Sequence, residues 1–404
     1  MAKVNLTFLN DLVQAITRTE RRGRGKDQLT AQNLLMRPAA ERLAAACDVL
    51  MGRIGEAARI AVAEQALAAY AELDAERQRD FFALLRDRFG ADPEPIRAAY
   101  AAYDADPSAG NLATLFETVE PRRQTLLRRL NMAPGATLKL VAMRADLLKA
   151  IAADPSLAPI DSDFAHLLSS WFNRGFLYLE RIDWSTPAAI LEKIIAYESV
   201  HRIADWDDLR RRLDEADRRC YAFFHPATGN EPLSFVEVAL TRAIPDAIAP
   251  ILTAPRVTAP DEADTAVFYS INNSLPGLKG VSFGNLLIKQ VVAVLQAELP
   301  QLKTFVTLSP APGFGGWLSR ETDPRAVALR TELEKGEWRN DPAEVERLRP
   351  EVEAVAARYF TTAKSRRGAP YDPVARFHLG NGAAAWRVNC PPIWRPAPSS
   401  APMR

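Results

Sequence analysis

Cysteine and histidine are both scarce in this 404-residue chain. Three cysteines, Cys47, Cys220 and Cys390, lie far apart, and no CxxC pair occurs. This spacing excludes the usual structural zinc motifs and offers no disulfide framework, which fits a reducing compartment. The sequence therefore predicts a cytoplasmic protein that needs no structural metal.

Long apolar runs are absent as well. No stretch of about 18 uncharged apolar residues occurs, so we expect no transmembrane helix. The short apolar run after Met1 meets Asp11 and is not followed by a small-residue cleavage site, so no secretory signal peptide is expected.

The chain has no excess of one charge, because 51 basic residues face 50 acidic residues. A net charge of +1 argues against a general nucleic-acid-binding protein. One local basic cluster is interpreted as an exposed turn or chain end. Its members are Arg18, Arg21, Arg22, Arg24 and Lys26.

Residues 1–170 are predicted to form a helical bundle for packing or assembly. Apolar residues recur at helical spacing, and abundant alanine supports helix. The segments are interrupted at four Pro-containing dipeptides, each beginning a new element. One helical face comprises Leu43, Cys47, Leu50, Met51 and Ile54, and another comprises Leu140, Met143, Leu147 and Ile151.

Residues 171–404 are predicted to form a mixed β-sheet with flanking helices. Their element order is not the regular alternation of a doubly wound fold. The predicted strands are 176–184, 220–225, 233–240, 266–271, 303–309 and 384–389. The predicted helices begin near residues 187, 207, 284 and 342. The tail, residues 390–404, is too rich in proline to form a central strand.

A glycine-containing loop separates a predicted strand from a predicted helix. Such a loop lets backbone N–H groups approach a phosphate, and the helix N-terminus favours negative charge. The spacing matches neither GxGxxG nor the P-loop, so turn formation alone remains an alternative. The candidate ligand-binding residues are Lys279, Gly280, Val281, Ser282, Phe283, Gly284 and Asn285.

His378 and Ser309 are candidate catalytic residues. His378 lies beside two glycines and Asn381, just before the last predicted strand, and histidine suits acid–base work near neutral pH. Ser309 ends a predicted strand and precedes a Pro-rich turn, although no GxSxG elbow is present. His225, which closes a strand, and Asn381, which follows His378, are further candidates, and a structural role is the alternative for His225.

The second half resembles the malonyl-CoA decarboxylase family, whose catalytic domain has an acetyltransferase-like fold. The resemblance covers about residues 160–389. It is carried by several short stretches taken together. These are 223–226, 237–241, 267–271, 277–281, 307–314, 377–383 and 386–387.

The resemblance implies a reaction, a substrate and a site. Malonyl-CoA is expected to lose CO2 and become acetyl-CoA, with Ser309 and His378 as the catalytic pair and residues 279–285 on the CoA pyrophosphate. No metal or cofactor is implied. We also expect a homo-oligomer assembled through the helical domain, with no nucleic-acid or membrane partner.

Two other functions stay open from the sequence. One is an acyl-CoA-dependent acyltransferase on the same fold. The other is a CoA-binding protein made inactive by its altered C-terminus, since the chain departs from the family pattern after Asn389.

Overall fold

The structure is a computed structural model that describes residues 38–253, 257–281, 284–365 and 368–389. For residues 284, 285, 339 and 340 it describes only the backbone. The basic cluster before residue 27, Cys390 and the Pro-rich tail lie outside the described residues. Within these ranges, no helix is long and apolar enough to cross a bilayer.

The chain divides into two compact units. The helical unit comprises Met1–Leu177 with two later segments, Phe224–Glu231 and Leu275–Ser282. The sheet unit comprises Tyr178–Phe223, Pro232–Ser274 and Phe283–Arg404. The domain boundary near residue 170 stays a prediction.

The helical unit contains eight α-helices among its described residues. Several begin at a capping side chain followed by proline or acidic residues; Asp92, for example, accepts a hydrogen bond from the Glu94 N–H and precedes Pro93. Leucine, alanine and phenylalanine side chains from six of these helices form a shared core. The helices are α1 (Ala39–Met51), α2 (Glu56–Ala71), α3 (Ala75–Arg88), α4 (Pro93–Ala105), α5 (Ala109–Val119), α6 (Arg122–Leu130), α7 (Ala136–Ala153) and α8 (Ala158–Trp171).

The sheet unit combines a five-stranded sheet with eight further helices among its described residues. The strands are β1 (Tyr178–Ile182), β2 (Arg218–Phe224), β3 (Ser234–Thr241), β4 (Thr265–Asn273) and β5 (Thr304–Thr307). The helices are α9 (Ala188–Tyr197), α10 (Trp206–Leu213), α11 (Ala249–Thr253), α12 (Gly284–Glu298), α13 (Phe314–Leu318), α14 (Pro324–Lys335), α15 (Pro342–Thr362) and α16 (Pro373–Gly380).

The strands lie in sequence order across the sheet. β2, β3 and β4 pair antiparallel, with a bulge in β3 between Glu237 and Val238. β4 and β5 pair parallel, Thr265 facing Thr304 and Phe268 facing Thr307. The predicted helical bundle followed by a mixed sheet with flanking helices is therefore confirmed.

The predicted strand over residues 384–389 is wrong. This segment has no regular secondary structure, and its one aromatic side chain, Trp386, is 77% exposed. Its backbone is held instead by Arg387, whose guanidinium donates to the carbonyls of Ile244 and Pro245. Apolar composition alone suggested a strand, but no sheet edge pairs with the segment among the described residues.

A buried ionic network lies behind the sheet. Glu237 on β3 is fully buried and accepts a hydrogen bond from Arg212 at 3.2 Å. Burial and the nearby carboxylate of Glu198 raise the pKa of Glu237 to about 8, against the opposing effect of Arg212. Arg212 also binds Asp208 at 3.1 Å, which divides its charge between two carboxylates.

We predict that Glu237→Gln changes how stability depends on pH. In the native chain Glu237 keeps its proton up to about pH 8, whereas the unfolded chain loses it near pH 4.3. The free energy of unfolding therefore falls as pH rises between these values, by at most about 1.4 kcal/mol per pH unit from this group. The Glu237→Gln variant lacks this pH-dependent contribution to the free energy of unfolding.

Urea unfolding from pH 5 to 9 measures the difference. The native chain should lose stability relative to the variant up to about pH 8, and the difference should then become constant. Glu334→Gln, at an exposed carboxylate, is the matched control. A difference that does not vary with pH would contradict the raised pKa.

Candidate active site

Ser309 lies just beyond the end of β5, beside the middle of β4, which continues to Asn273. Leu308 extends the parallel pairing by donating its N–H to the Phe268 carbonyl at 2.9 Å. Two prolines, Pro310 and Pro312, then turn the chain away from the sheet and restrict its backbone. The Ser309 side chain is left exposed at a rigid position.

His378 lies in the last turn of α16, which corrects its predicted position before a strand. Its Nε2 is 3.1 Å from the Ser309 hydroxyl oxygen, across 69 residues of sequence. The structure therefore brings together the two residues that were singled out from sequence. Which of the two atoms donates depends on the protonation state of the imidazole.

Burial lowers the pKa of the His378 imidazole. Among the described residues, no charged side chain opposes this effect. At neutral pH the free protein therefore holds His378 in its neutral form. A negative charge brought beside the ring would raise its pKa again, because an opposite charge favours the protonated form.

The glycine loop begins with a short 3-10 helix, Pro276–Leu278, and runs to α12. Gly277 packs so closely on α7 that a Cβ would overlap the Val141 carbonyl. Gly280 has a φ of +83°, a conformation that favours glycine. Ser282, Phe283 and the side chain of Asn285 lie outside the described residues, and Gly284 is described by its backbone alone.

Arg144 on α7 holds this loop. Its guanidinium, 3% exposed, donates to the carbonyls of Gly277 at 2.7 Å and Lys279 at 2.9 Å. Asp161 on α8 accepts from the Arg144 Nε at 2.7 Å and balances its charge. The loop backbone is therefore fixed by an arginine from the helical bundle.

This arrangement orients one backbone donor. In a trans peptide the C=O and N–H point in opposite directions. Because Arg144 binds the Lys279 carbonyl, the Gly280 N–H points away from the bundle. It has no hydrogen-bond partner within the described ranges, so it is available to an anion beside Lys279.

We predict that Arg144→Lys weakens the binding of CoA, the ligand that the sequence resemblance implies. Lysine keeps the positive charge but lacks the planar fork that binds two carbonyls and Asp161 together. A loss of about tenfold in affinity is expected, the usual scale for one misplaced charge-assisted contact. Isothermal titration with CoA measures it.

Arg330→Lys is a matched control. Arg330 also donates to two carbonyls, those of Leu318 and Ser319, but belongs to the sheet unit. It should leave the affinity unchanged. Equal affinity of the Arg144→Lys protein, with its melting temperature retained, would contradict the role of Arg144.

His225 and Asn381 make local contacts. His225, in the helical unit, accepts at Nδ1 from the Ala227 N–H and contacts the Trp171 carbonyl through Nε2 at 3.1 Å. Its ring lies against Phe172. Asn381 follows α16 and donates from its side chain to the Phe377 carbonyl at 2.6 Å. Their predicted roles at the site stay predictions.

Two residues that support the candidate site escaped the sequence analysis. Arg144 has no local signal for this role, because the two loop carbonyls that it binds lie 133 and 135 residues away. Asp372 was detectable, since Asp372-Pro373 repeats the helix-start signature seen at Asp92-Pro93. Within the described ranges, no three His, Cys, Asp or Glu side chains form a group that could hold a metal ion.

Two family profiles match the chain. The profile described as the malonyl-CoA decarboxylase C-terminal domain matches residues 175–391. The corresponding N-terminal domain profile matches residues 89–172. Together they cover both units along most of their described length.

Curated proteins and solved structures agree with the profiles. Proteins named mitochondrial malonyl-CoA decarboxylase from Anser anser anser and Mus musculus are each 37% identical over 302 residues, 67% of this chain. Those matches span only 60% and 61% of the relatives' own lengths.

The solved structures are similar over more of their length. A malonyl-CoA decarboxylase from Rhodopseudomonas palustris has a TM-score of 0.80 at 52% identity, covering 85% of this chain and 86% of that one. One from Cupriavidus metallidurans has a TM-score of 0.63 at 34% identity, covering 87% and 86%.

Proposed function

The chain belongs to the malonyl-CoA decarboxylase family, and from this membership we propose that it converts malonyl-CoA to acetyl-CoA and CO2. The observation that carries the proposal is the 3.1 Å contact between Ser309 and His378. It lies within the span of the C-terminal family profile.

The reaction breaks one C–C bond and adds one proton. The electron pair of the bond to the carboxylate moves into the thioester and forms an enolate as CO2 leaves. The α-carbon of the enolate then takes a proton, which gives the methyl group of acetyl-CoA. The thioester itself accommodates the electron pair, so we propose no metal or other cofactor.

Ser309 is proposed to hold the malonyl carboxylate out of the thioester plane. Its exposed hydroxyl has a single proton to donate. When His378 is protonated, its Nε2–H donates to the Ser309 oxygen, which leaves the hydroxyl proton free for the carboxylate. The pair then forms a chain of donors directed at the substrate charge.

His378 is proposed to be the general acid that protonates the α-carbon: once CO2 has left, its Nε2–H leaves the Ser309 oxygen and transfers to the enolate carbon. Burial favours the neutral ring before substrate binds. The malonyl carboxylate would raise the imidazole pKa on binding, so the ring takes up its proton when substrate is in place. The ring is neutral after this donation, and it takes its next proton from water when another substrate binds.

The glycine loop is proposed to bind the CoA pyrophosphate. The Gly280 N–H and the Lys279 ammonium are the groups we assign to it, with Arg144 fixing the loop backbone. Anion binding at a loop that leads into a helix N-terminus is favoured by orphan N–H donors and the helix dipole.

We predict that Ser309→Ala and His378→Asn both reduce kcat for CO2 release from malonyl-CoA. Loss of one preorganised donor costs about 10²–10³-fold, and loss of a general acid about 10²–10⁴-fold. Ser319→Ala and His166→Asn, at exposed positions, should keep normal activity. Near-normal turnover in a folded His378→Asn protein would contradict the assignment.

We also predict a specific pH dependence. Since kcat/KM reports the free enzyme, it should fall as pH rises through the lowered pKa of His378. The fall in kcat should occur at a higher pH than the fall in kcat/KM, because bound substrate raises the pKa of His378. Stopped-flow CO2 assays from pH 5 to 9 measure both, and a kcat/KM that rises across this range would contradict a general acid at His378.

One assay also distinguishes the other functions left open by the sequence. A decarboxylase releases CO2 from malonyl-CoA and no free thiol. An acyltransferase releases thiol when an amine acceptor is present, and a binding protein releases neither. Following both products in one reaction decides among them.

Compartment and assembly remain proposals. We propose a cytoplasmic location, although the curated relatives are named mitochondrial proteins. We also propose a homo-oligomer assembled through the helical domain. Light scattering of the purified full chain measures its mass in solution.

A further inference from the structure

A buried carboxylate, Asp372, joins the segments that carry Ser309 and His378. It is 2% exposed and lies immediately before α16. All of its hydrogen bonds described below are within the sheet unit. Neither catalytic side chain touches it, so any effect on them passes through the backbone.

One oxygen of Asp372 caps the helix that carries His378. Oδ1 accepts hydrogen bonds from the N–H groups of Val374 at 2.9 Å and Ala375 at 3.0 Å. Capping fixes the first turn of a helix that otherwise leaves its N–H groups unpaired. His378 lies six residues further on, about 9 Å along the axis.

The other oxygen binds the segment that carries Ser309. Oδ2 accepts a hydrogen bond from the Gly313 N–H at 3.1 Å. Only Pro310, Ala311 and Pro312 separate Gly313 from Ser309. Because both prolines have a fixed φ, anchoring Gly313 also restrains Ser309.

Gly313 must be a glycine for this contact to form. A Cβ at this position would overlap the Tyr359 hydroxyl and lie 3.2 Å from Asp372 Oδ2. The loop backbone therefore sits directly against the carboxylate and the phenol.

Tyr359 on α15 completes the arrangement. Its hydroxyl donates to the same Oδ2 at 2.9 Å. Burial and Asp372 raise the pKa of Tyr359, so it remains a donor at any working pH. Its ring packs against Phe314 and Trp317, which directly follow the anchored loop.

We propose that Asp372 is a positioning residue that sets the contact between Ser309 and His378. One oxygen fixes the helix of the histidine, and the other fixes the loop of the serine. The inference rests on the proposed function for its catalytic consequence, but its geometric content does not depend on which reaction the pair performs.

Asp372→Asn separates the two tasks of the carboxylate. Asparagine caps helices as well as aspartate does, so its carbonyl oxygen retains the bonds to Val374 and Ala375. Its amide NH2 then replaces Oδ2 and faces the Gly313 N–H, donor against donor. The helix keeps its cap while the serine loop loses its anchor.

Asp372→Ser is the second variant. Serine is an equally good cap but too short to reach Gly313. Asp372→Ser provides the same test if Asp372→Asn does not fold. Asp341→Asn is the matched control, since Asp341 caps α15 through the Ala343 N–H at 2.9 Å and is exposed.

The experiment uses the full chain and measures the environment of His378 and the catalytic constants separately. The chain has four histidines, so ¹⁵N imidazole NMR resolves His378 by comparison with His378→Asn. Loss of the serine contact is calibrated with Ser309→Ala. For each variant, kcat and KM for malonyl-CoA are measured beside the melting temperature.

We expect the His378 signal of Asp372→Asn to move toward that of Ser309→Ala. Its kcat should fall at least tenfold with KM changed less than twofold, while Asp341→Asn matches the native chain in both. An unchanged His378 signal in a folded Asp372 variant would overturn the inference, whatever the activity.

The two proposals fail differently. If Ser309→Ala and His378→Asn keep full decarboxylation, the proposed function is wrong, and the NMR comparison still decides whether Asp372 sets the contact. If those variants lose activity and Asp372→Asn and Asp372→Ser do not, the proposed function stands and the role of Asp372 is wrong.

Discussion

The parallel pairing of β4 with β5 is the constraint on which the candidate site depends. Parallel neighbours cannot be joined by a tight turn, so the chain must make a crossover between them. Here that crossover holds the glycine loop and α12. β4 continues past the end of β5 to Asn273, so Ser309 emerges from β5 beside the middle of β4. The position of the serine is thus a consequence of topology.

Buried polar and charged side chains connect the helices of the sheet unit to its strands. Glu198, which directly follows α9, accepts hydrogen bonds from Ser270 and Asn272 on β4, each at 2.7 Å. These bonds connect the end of α9 to that strand. Glu237 and Arg212 add a second link at β3. Burying such groups costs several kcal/mol unless hydrogen bonds compensate. Each buried carboxyl group is therefore stable only while its hydrogen-bond partners keep their positions. A strand held in this way is a suitable support for a site.

The sequence predicted the parts of the site that have local signals. Strand-like composition followed by proline located Ser309, and the glycines located the loop. The helix around His378 was missed because glycines after it suggested a turn, although Asp372-Pro373 is a helix start. Arg144 could not be predicted, since its contact with Lys279 joins residues 135 positions apart and depends on how α7 packs. Long-range contacts of this kind produce no periodic pattern in the sequence from which they could be predicted.

The environment of His378 argues against use of Ser309 as a nucleophile. In a Ser-His-Asp triad a carboxylate binds the second ring nitrogen and supports the imidazolium that forms. Here the nearby carboxylate, Asp372, binds backbone N–H groups, and burial is the one cause that shifts the His378 pKa. A histidine without a carboxylate partner is a weak base toward a hydroxyl. It becomes a useful acid once a substrate carboxylate lies beside it, because that charge then supports the protonated ring. Under the proposed mechanism, the same burial that keeps the free His378 ring neutral makes proton donation depend on a bound, negatively charged acyl group.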